Sequence, residues 1–479
     1  MNSIPLYPRL RRWIATLFSV CLILGPGLSI WATEKRRSVE TVDIILRGGQ
    51  VVTMDAERHI YENGLVAIKG DKIVAVGDAS DLGSRYRAKT LIDTTGKAVI
   101  PGLINTHTHV PMSLFRGVAD DLLLQDWLQN FIFPAEAKNV TAEFVRAGTR
   151  LGCLEMILGG TTCFVDMYYF EDHIADETQK AGMRAVLGET VIDFPVPDAK
   201  TPQDGLKYAE AFIKNYKGNP LITPAIAPHA PYTCSPDLLK AAKALSDRYE
   251  VPLVTHLAED YSEVDIIKNR YQARPVEHVE KMGLLGPRVI AAHVIQVTPE
   301  EIQLLKKHGV GVAHNPQSNM KLAAGVSPVP DMLKAGLGVG LGTDGAASNN
   351  DLNLFEEIDT AAKLHKEFSR NPTVVSAREA LEMATIGGAR AIHQDDRIGS
   401  LEAGKLADLI VVNLDTPHQW PVYNLYSTLV YATKASDVET SIINGKLVMR
   451  DRKVLTLNSV AIRKEALLYR TRILESLKK

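Results

Sequence analysis

The chain has 479 residues, of which 46% are hydrophobic and 23% are charged, and its formal net charge is −2 at pH 7. This length is ample for one large domain with an accessory domain, and the composition is that of an ordinary globular protein. A charge so close to zero gives no sign of a surface for nucleic acid or anionic membranes, so we expect no nucleic-acid partner.

The first segment differs from the rest of the chain. Three arginines precede the apolar run WIATLFSVCLIL at residues 13–24, and small residues follow up to Ala32. This pattern is typical of a secretory signal, so we interpret residues 1–32 as a signal peptide, with an uncleaved membrane anchor as the alternative. We therefore expect an exported protein, periplasmic or extracellular, and a cytoplasmic protein only if this extension has no function.

Two β-rich stretches flank the middle of the chain. Residues 41–98 contain short apolar runs separated by glycine-rich turns, and a similar stretch spans residues 397–458. The two stretches together predict one small β-sandwich that is built from both ends of the chain. Residues 459–479 have the pattern of a charged amphipathic helix.

The region between them, residues 99–396, opens with the run AVIPGLINTHTHV, which contains His107 and His109. Side chains two residues apart on a strand point the same way, so both imidazoles face one side. An apolar strand that ends in His-x-His is typical of a metal site at the mouth of a parallel barrel. Two ordinary strand-end histidines are the alternative for this motif alone.

Three later apolar runs also end in a potential ligand. VPLVTHLAED contains His256 and Glu259, RVIAAHVIQ contains His293, and GLGVGLGTDG contains Asp344. Alone, His256 or His293 would more often be a packed or capping histidine. The repeated placement at strand ends predicts an α/β fold with a TIM-like (β/α)8 barrel, and imidazole and carboxylate ligands suit zinc or another borderline divalent ion, iron included.

The same stretches carry a family resemblance. PGLINTHTHVPMSLFRGVADDL, GTTCFVDMYY, APHAPYTCS, THLAE, AAHVIQ, HNPQSNMKLAAGVSPV and LGTDGAASNNDLNLFEE resemble the amidohydrolase superfamily, and within it the 5′-methylthioadenosine/S-adenosylhomocysteine deaminases. The resemblance runs from about Val42 to the C-terminus. His-x-His is shared by the whole superfamily, whereas TDGAASNN and HNPQSNMKLAAG are much more specific.

The resemblance implies one divalent metal ion. Its ligands would be His107, His109, His256 and Asp344. No lysine stands where a bridging carbamylated lysine would be expected, in TTCFVDMYY, which disfavours a two-metal site. Glu259 would protonate the ring nitrogen of the substrate, and His293 with Asp344 would orient or deprotonate the water.

The resemblance also implies substrate contacts. Trp127 would stack near a nucleoside, Glu136 would accept hydrogen bonds from the ribose hydroxyls, and His229 and His314 would touch the ribose or base. A core aromatic residue and a helix-face carboxylate are the plainer interpretations of Trp127 and Glu136. Glu189 stands where relatives that accept S-adenosylhomocysteine carry an arginine, so we expect it to repel the carboxylate of that substrate.

These observations predict a metal-dependent hydrolytic deaminase of adenine nucleosides that releases an inosine analogue and ammonia. Its substrates would be 5′-methylthioadenosine and adenosine, with S-adenosylhomocysteine disfavoured. A hydrolase of another amino- or chloro-substituted heterocycle, of the s-triazine or guanine type, is the alternative enzyme. An exported nucleoside-binding protein without turnover is the alternative from a different class. We expect a homo-oligomer whose only membrane contact would be an uncleaved N-terminal segment.

Overall fold

The computed structural model describes residues 39–478, so the predicted signal segment lies outside the described part. The first strands are β1 (Glu40–Arg47), β2 (Gln50–Val52), β3 (Ile60–Tyr61), β4 (Gly64–Lys69), β5 (Lys72–Asp78), β6 (Tyr86–Asp93) and β7 (Lys97–Pro101). The middle strands are β8 (Leu103–Thr108), β9 (Thr161–Tyr168), β10 (Arg184–Val191), β11 (Ile222–Pro228), β12 (Leu253–Leu257), β13 (Val289–His293), β14 (Gly311–His314) and β15 (Val339–Leu341). The last strands are β16 (Leu409–Asn413), β17 (Val438–Ile443), β18 (Lys446–Arg450) and β19 (Lys453–Val454).

Helices connect and cover these strands. They are α1 (Ala79–Leu82), α2 (Leu124–Asp126), α3 (Phe133–Asn139), α4 (Ala142–Leu158), α5 (Glu171–Ala181), α6 (Pro202–Tyr216), α7 (Pro236–Tyr249), α8 (Tyr261–Tyr271), α9 (Pro275–Lys281), α10 (Pro299–His308), α11 (Pro316–Lys321), α12 (Val329–Ala335), α13 (Leu354–Ser369), α14 (Ala377–Met383), α15 (Ile386–Ala391), α16 (Leu425–Ser427) and α17 (Ser459–Leu477). Short 3₁₀ turns span Val110–Phe115 and Ala435–Asp437, and π-helical turns span Trp127–Ile132 and Thr428–Ala432.

The middle strands form a parallel barrel. Strands β8 to β15 follow one another in a single eight-stranded sheet, and nearly all their side chains are buried because helices cover the outer face. The first and last strands meet where the backbone amide of Asp344 donates to the carbonyl of His107 at 3.0 Å. The predicted TIM-like barrel is therefore confirmed.

The remaining strands form two sheets. One has the order β5-β4-β1-β6 and the other the order β19-β18-β17-β16-β7-β2-β3, so the larger sheet takes strands from both ends of the chain. Its central pair is antiparallel β7 and β16, with Ile100 opposite Ile410. Apolar side chains of the two sheets, such as Ile68 and Leu409, share one buried core.

The larger sheet is joined to the barrel in two places. Only Gly102 separates β7 from β8, the strand that leads to His107. At the opposite end of the barrel from the histidines, Arg184 at the start of β10 donates to Asp408 at 2.6 Å, with both side chains buried. Arg184 also donates to Asn444 at 3.0 Å. These contacts fix the barrel against the sheet.

The last helix, α17, packs on the barrel helices. Its Glu465 accepts a hydrogen bond from Arg150 of α4 at 2.7 Å, and Tyr469 packs edge-on against Phe144 with 5.5 Å between ring centroids. Among the described helices, none is both long and apolar enough to cross a membrane.

Candidate active site

The carboxyl ends of three barrel strands bring the four predicted ligands together. His107 lies near the end of β8 with His109 just beyond it, His256 lies on β12, and Asp344 follows β15. The Oδ1 atom of Asp344 is 3.4 Å from Nε2 of His107 and 3.2 Å from Nε2 of His109. The Nε2 atoms of His256 and His109 are 3.3 Å apart. Functional groups of TIM barrels collect at this face.

The outer hydrogen bonds of two histidines fix which nitrogen faces the centre. Nδ1 of His109 is 2.7 Å from the carbonyl of Met167, and Nδ1 of His256 is 2.7 Å from the carbonyl of His229. A carbonyl only accepts, so each Nδ1 carries the proton and each Nε2 directs a lone pair inward. Two lone pairs that face each other at 3.3 Å repel unless a cation lies between them.

The third histidine also fits a metal. His107 is fully buried, and neither of its ring nitrogens has a hydrogen-bond partner among the described residues. Buried polar atoms are normally bonded, so two orphan nitrogens need an explanation. Burial lowers the pKa of His107 to about 4, which keeps the ring neutral and able to bind a metal ion. The residues at this centre therefore fit one divalent ion.

Two serines that the sequence interpretation missed hold Asp344. The hydroxyls of Ser318 and Ser348 each donate to Oδ2 at 2.7 Å, which leaves Oδ1 toward the histidines. Both serines lie inside the stretches HNPQSNMKLAAG and TDGAASNN. The motifs therefore contained both serines, although nothing in the spacing of the motifs indicated which hydroxyl contacts the Asp344 carboxylate.

Glu259 lies beside this centre with His293. Its Oε1 atom is 3.7 Å from Nε2 of His293, whose Nδ1 is 2.8 Å from the side-chain oxygen of Asn319. Burial, and next the negative charge of Asp344, raise the pKa of Glu259 well above its usual range. A carboxyl group with a raised pKa is suited to donate a proton at neutral pH.

A second carboxylate, Glu263, holds the turn that carries Glu259. Its two oxygens accept from the backbone amides of Ala258 at 3.0 Å and Glu259 at 2.8 Å. Ala258 has φ +53°, and His293 and Asp344 have φ +73° and +61°. Non-glycine residues in this left-handed region are strained, and such strain collects at functional sites. Glu263 was not among the predicted residues. Its position four residues after Glu259 is the only feature of the sequence that hints at this role.

A cavity opens next to these groups. The metal-site and catalytic side chains form its deep wall, and Met167, Tyr169, Thr190, His229 and Tyr232 continue it. One segment supplies an apolar wall of Met112, Leu124, Trp127, Leu128, Ile132 and Phe133. Trp127 therefore lines the cavity, and its buried Nε1 has no hydrogen-bond partner in the described part of the chain.

Glu136 lies in the same cavity and is bound to a tyrosine. The hydroxyl of Tyr168 donates to Oε1 of Glu136 at 2.7 Å, and both side chains are buried. Burial raises the pKa of Glu136 to about 7, although the hydrogen bond from Tyr168 acts in the opposite direction. The structure thus adds Tyr168, which was not predicted, to the group around Glu136.

Two predicted substrate contacts lie outside the cavity lining. Glu189 accepts a hydrogen bond from the backbone amide of Glu171 at 3.0 Å, and the next residue, Thr190, lines the cavity instead. Nε2 of His314 lies 3.0 Å from Nε2 of His365 on α13. Adjacent residues on a strand point to opposite faces, so Glu189 faces away from the cavity that Thr190 lines. The expected repulsion of a substrate carboxylate by Glu189 has no geometric basis.

Comparisons with known proteins agree with this geometry. The sequence pattern of the Amidohydrolase family matches residues 98–448. A 5-methylthioadenosine/S-adenosylhomocysteine deaminase from Syntrophobacter fumaroxidans is 51% identical over 416 residues, which are 87% of this chain and 95% of that protein. A 5'-deoxyadenosine deaminase from Methanocaldococcus jannaschii is 45% identical over 415 residues, 85% of this chain and 97% of that protein.

A solved structure is similar as well. An adenosine deaminase from Xanthomonas campestris with bound zinc has a TM-score of 0.89 and 38% identity, over 91% of this chain and 99% of that one. The match of the family pattern to most of the chain, and relatives of this identity and coverage, establish the family. The chain belongs to the amidohydrolase family.

Proposed function

We propose that this protein deaminates adenine nucleosides by hydrolysis and releases the inosine analogue and ammonia. The observation that carries the proposal is one cavity whose lining contains Glu259, the buried carboxylate of Glu136, and the proposed ligands His109, His256 and Asp344. The names of the two relatives and of the solved structure support the same reaction class.

The metal ion would be held by His107, His109, His256 and Asp344. Zinc suits three imidazoles and one carboxylate best, with iron as the second choice. A divalent ion here lowers the pKa of water and so supplies hydroxide as a nucleophile at neutral pH. Metal analysis of the purified protein should give one equivalent, and His256→Ala should lose it. Two tightly bound ions would contradict the proposed site.

The reaction needs protons at two places. As the water oxygen bonds to C6 of the adenine ring, Glu259 gives its proton to the neighbouring ring nitrogen N1. His293 and Asp344 take the proton from the attacking water. The C6–N6 bond then breaks, the amino group leaves with that proton as ammonia, and the hydroxyl on C6 becomes the carbonyl by giving its proton back to Glu259. The raised pKa of Glu259 supports its first role.

The nucleoside is favoured over a triazine by Glu136. A buried carboxylate is costly unless a partner satisfies it, and only Oε1 accepts a hydrogen bond from the described residues, from Tyr168. The ribose hydroxyls, which guanine and an s-triazine lack, offer donors to the other oxygen. Trp127 would stack beside the sugar or base, and His229 belongs to the same lining.

A substrate panel tests the proposal. Adenosine, 5′-methylthioadenosine, guanine and an s-triazine would be incubated with the zinc-loaded protein, and ammonia and the ultraviolet shift would be measured. We expect release from the two nucleosides only. Release from guanine or the triazine alone would favour the alternative enzyme, and nucleoside binding without ammonia would favour a binding protein.

We also propose that the protein is exported and that it forms a homo-oligomer. The arginine-preceded apolar run at residues 13–24 supports export, with a mature chain that starts near Thr33. N-terminal sequencing of the protein from cell fractions checks this, and an intact Met1 in the cytoplasmic fraction would contradict it. Light scattering of the purified protein measures the oligomeric state, which a monomer would contradict.

A further inference from the structure

A row of four rings begins with three residues of the cavity lining and ends at Phe194, which packs against the lining residue Phe133 from outside the lining. Ring centroids are 4.8 Å apart between His256 and His229, 6.2 Å between His229 and Phe133, and 5.4 Å between Phe133 and Phe194. His256 is buried, whereas Phe194 is 36% exposed. The row of rings therefore runs from the predicted metal ligands at one end to Phe194 at the other.

If the proposed function holds, a bound nucleoside lies along this row of rings in one orientation. The reacting carbon of the base must lie at the deep end, beside Glu259. Glu136 stands one helical turn after Phe133 on α3, so a ribose at Glu136 lies next to the Phe133 ring. The 5′ carbon is on the side of the ribose away from the reacting edge of the base. The 5′ substituent therefore points to Phe133 and, beyond it, to Phe194.

The cavity lining at Phe133 offers this substituent apolar surface and no cation. Among the described residues, the cavity lining contains no lysine or arginine, and its carboxylates are Glu136, Glu259 and Asp344. The carboxylate next to Phe194, Asp193, is bonded to the backbone amide of Ser235. An amino-acid carboxylate in this lining would find no lysine or arginine for a charge-assisted hydrogen bond.

We propose that Phe133 and Phe194 form a subsite for an uncharged 5′ alkyl or alkylthio group. A thioether sulfur makes favourable contacts with aromatic rings, and a methyl group gains from apolar burial. The subsite selects 5′-methylthioadenosine over S-adenosylhomocysteine, which shares the adenine, ribose and thioether but carries a charged end. Phe194 is thus a specificity-determining residue.

The test compares kcat/KM of the zinc-loaded protein for adenosine, 5′-methylthioadenosine and S-adenosylhomocysteine. We expect a preference of at least about tenfold for 5′-methylthioadenosine over S-adenosylhomocysteine, since a charge-assisted hydrogen bond is missing. Phe194→Ala should lower kcat/KM for 5′-methylthioadenosine roughly three- to tenfold and for adenosine less than about twofold. Phe368→Ala, at an exposed phenylalanine on α13, is the matched control and should change neither.

A second variant tests the charge argument. Phe194→Arg places a cation next to Phe133 and should raise kcat/KM for S-adenosylhomocysteine while it lowers that for 5′-methylthioadenosine. Equal efficiency of the wild-type protein on both substrates would overturn the inference, as would the same loss for adenosine and 5′-methylthioadenosine in Phe194→Ala. Absence of deamination with all three nucleosides would instead overturn the proposed function, and the inference with it.

Discussion

Glu259 combines burial with a position beside the proposed metal ligands, and this makes it the sharpest single-residue test. Glu259→Gln preserves the shape but removes the titratable proton. General acid–base catalysis is worth on the order of 10² to 10⁴ in rate, so kcat should fall by that factor while the metal content stays at one equivalent. Steady-state kinetics and elemental analysis of the same sample measure both.

The control for this variant is Glu367→Gln. Glu367 is an exposed glutamate on α13, so its replacement should leave kcat and metal content unchanged. A fall in kcat of less than about tenfold in Glu259→Gln would show that another group moves the proton. Loss of the metal together with activity would show that Glu259 acts on the ligand set instead.

Tyr168 offers a test of how the ribose is held. Tyr168→Phe removes the hydrogen bond to Glu136 and should raise KM for adenosine about tenfold with little change in kcat, because only binding is affected. The matched control is Tyr249→Phe, which removes a 2.6 Å tyrosine–glutamate hydrogen bond, to Glu210, elsewhere on the surface. An equal rise in KM for 2′,3′-dideoxyadenosine would contradict a role through the ribose hydroxyls.

The same pair predicts a pH dependence. Burial raises the pKa of Glu136 to about 7, so this carboxylate is ionised above that pH and protonated below it. Its charge-assisted hydrogen bonds to a ribose are lost as the pH falls through 7, so kcat/KM for adenosine should fall there. The hydrogen bond from Tyr168 favours the ionised form of Glu136, so Tyr168→Phe should move this fall in kcat/KM to higher pH. If the fall occurs at the same pH in the variant, a group other than Glu136 causes it.

The structure brings together predicted residues that end strands, whereas the side-chain phase within a strand could not be read from the sequence. His107, His256, His293 and Asp344 lie together because parallel strands end at one face. Glu189 and His314 were assigned to the cavity, but neither lines it: Glu189 bonds to the Glu171 amide and His314 lies against His365. Ser318 and Tyr168 could not be found from spacing, because their contacts cross 26 and 32 residues of sequence.

At the level of elements, the strands and the capped helices were the predictable part. Serine before proline is typical of a helix start, and the Ser235 hydroxyl, before Pro236, accepts from the Leu238 amide at 3.4 Å. The π-helical turn Trp127–Ile132 was not predicted, because its hydrogen-bond pattern has no distinct periodicity signal. It supplies part of the apolar wall of the cavity, so this wall could not be predicted from the sequence alone.

The junction between β7 and β8 predicts a large effect from a small change. A Cβ atom at Gly102 would overlap the side chain of Thr162 on β9. Gly102→Ala should therefore destabilise the protein by about 1–3 kcal/mol through overpacking. Gly286→Ala is the control, since the nearest atom to its added Cβ is Cε of Lys243 at 3.8 Å. Urea unfolding measures both, and equal midpoints for the two variants would contradict tight packing at the junction.

At the scale of the whole molecule, the barrel depends on a sheet that the chain completes last. Strand β7 leads directly into the barrel, yet its partner β16 is formed more than 300 residues later. The sequence predicted that both ends share a β-structure, because their turn and strand patterns are alike. It could not predict the order in the seven-stranded sheet, since pairing at this separation depends on how the finished barrel places the two ends.

The buried ion pair between Arg184 and Asp408 gives the last prediction. Its side chains are 2% and 3% exposed and join the barrel to the larger sheet. Arg184→Met leaves the Asp408 carboxylate buried without its cation, so we expect a loss of about 3–5 kcal/mol in the free energy of unfolding. The control is Arg288→Met, which breaks the ion pair between Arg288 and Asp247. These side chains are 38% and 48% exposed, so the loss should be less than about 1 kcal/mol.

The double variant Arg184→Met with Asp408→Leu should recover much of the loss, because no buried charge then remains unpaired. Guanidinium unfolding of the three variants measures these differences, and an Arg184→Met protein as stable as Arg288→Met would show that the pair does not join the barrel to the sheet.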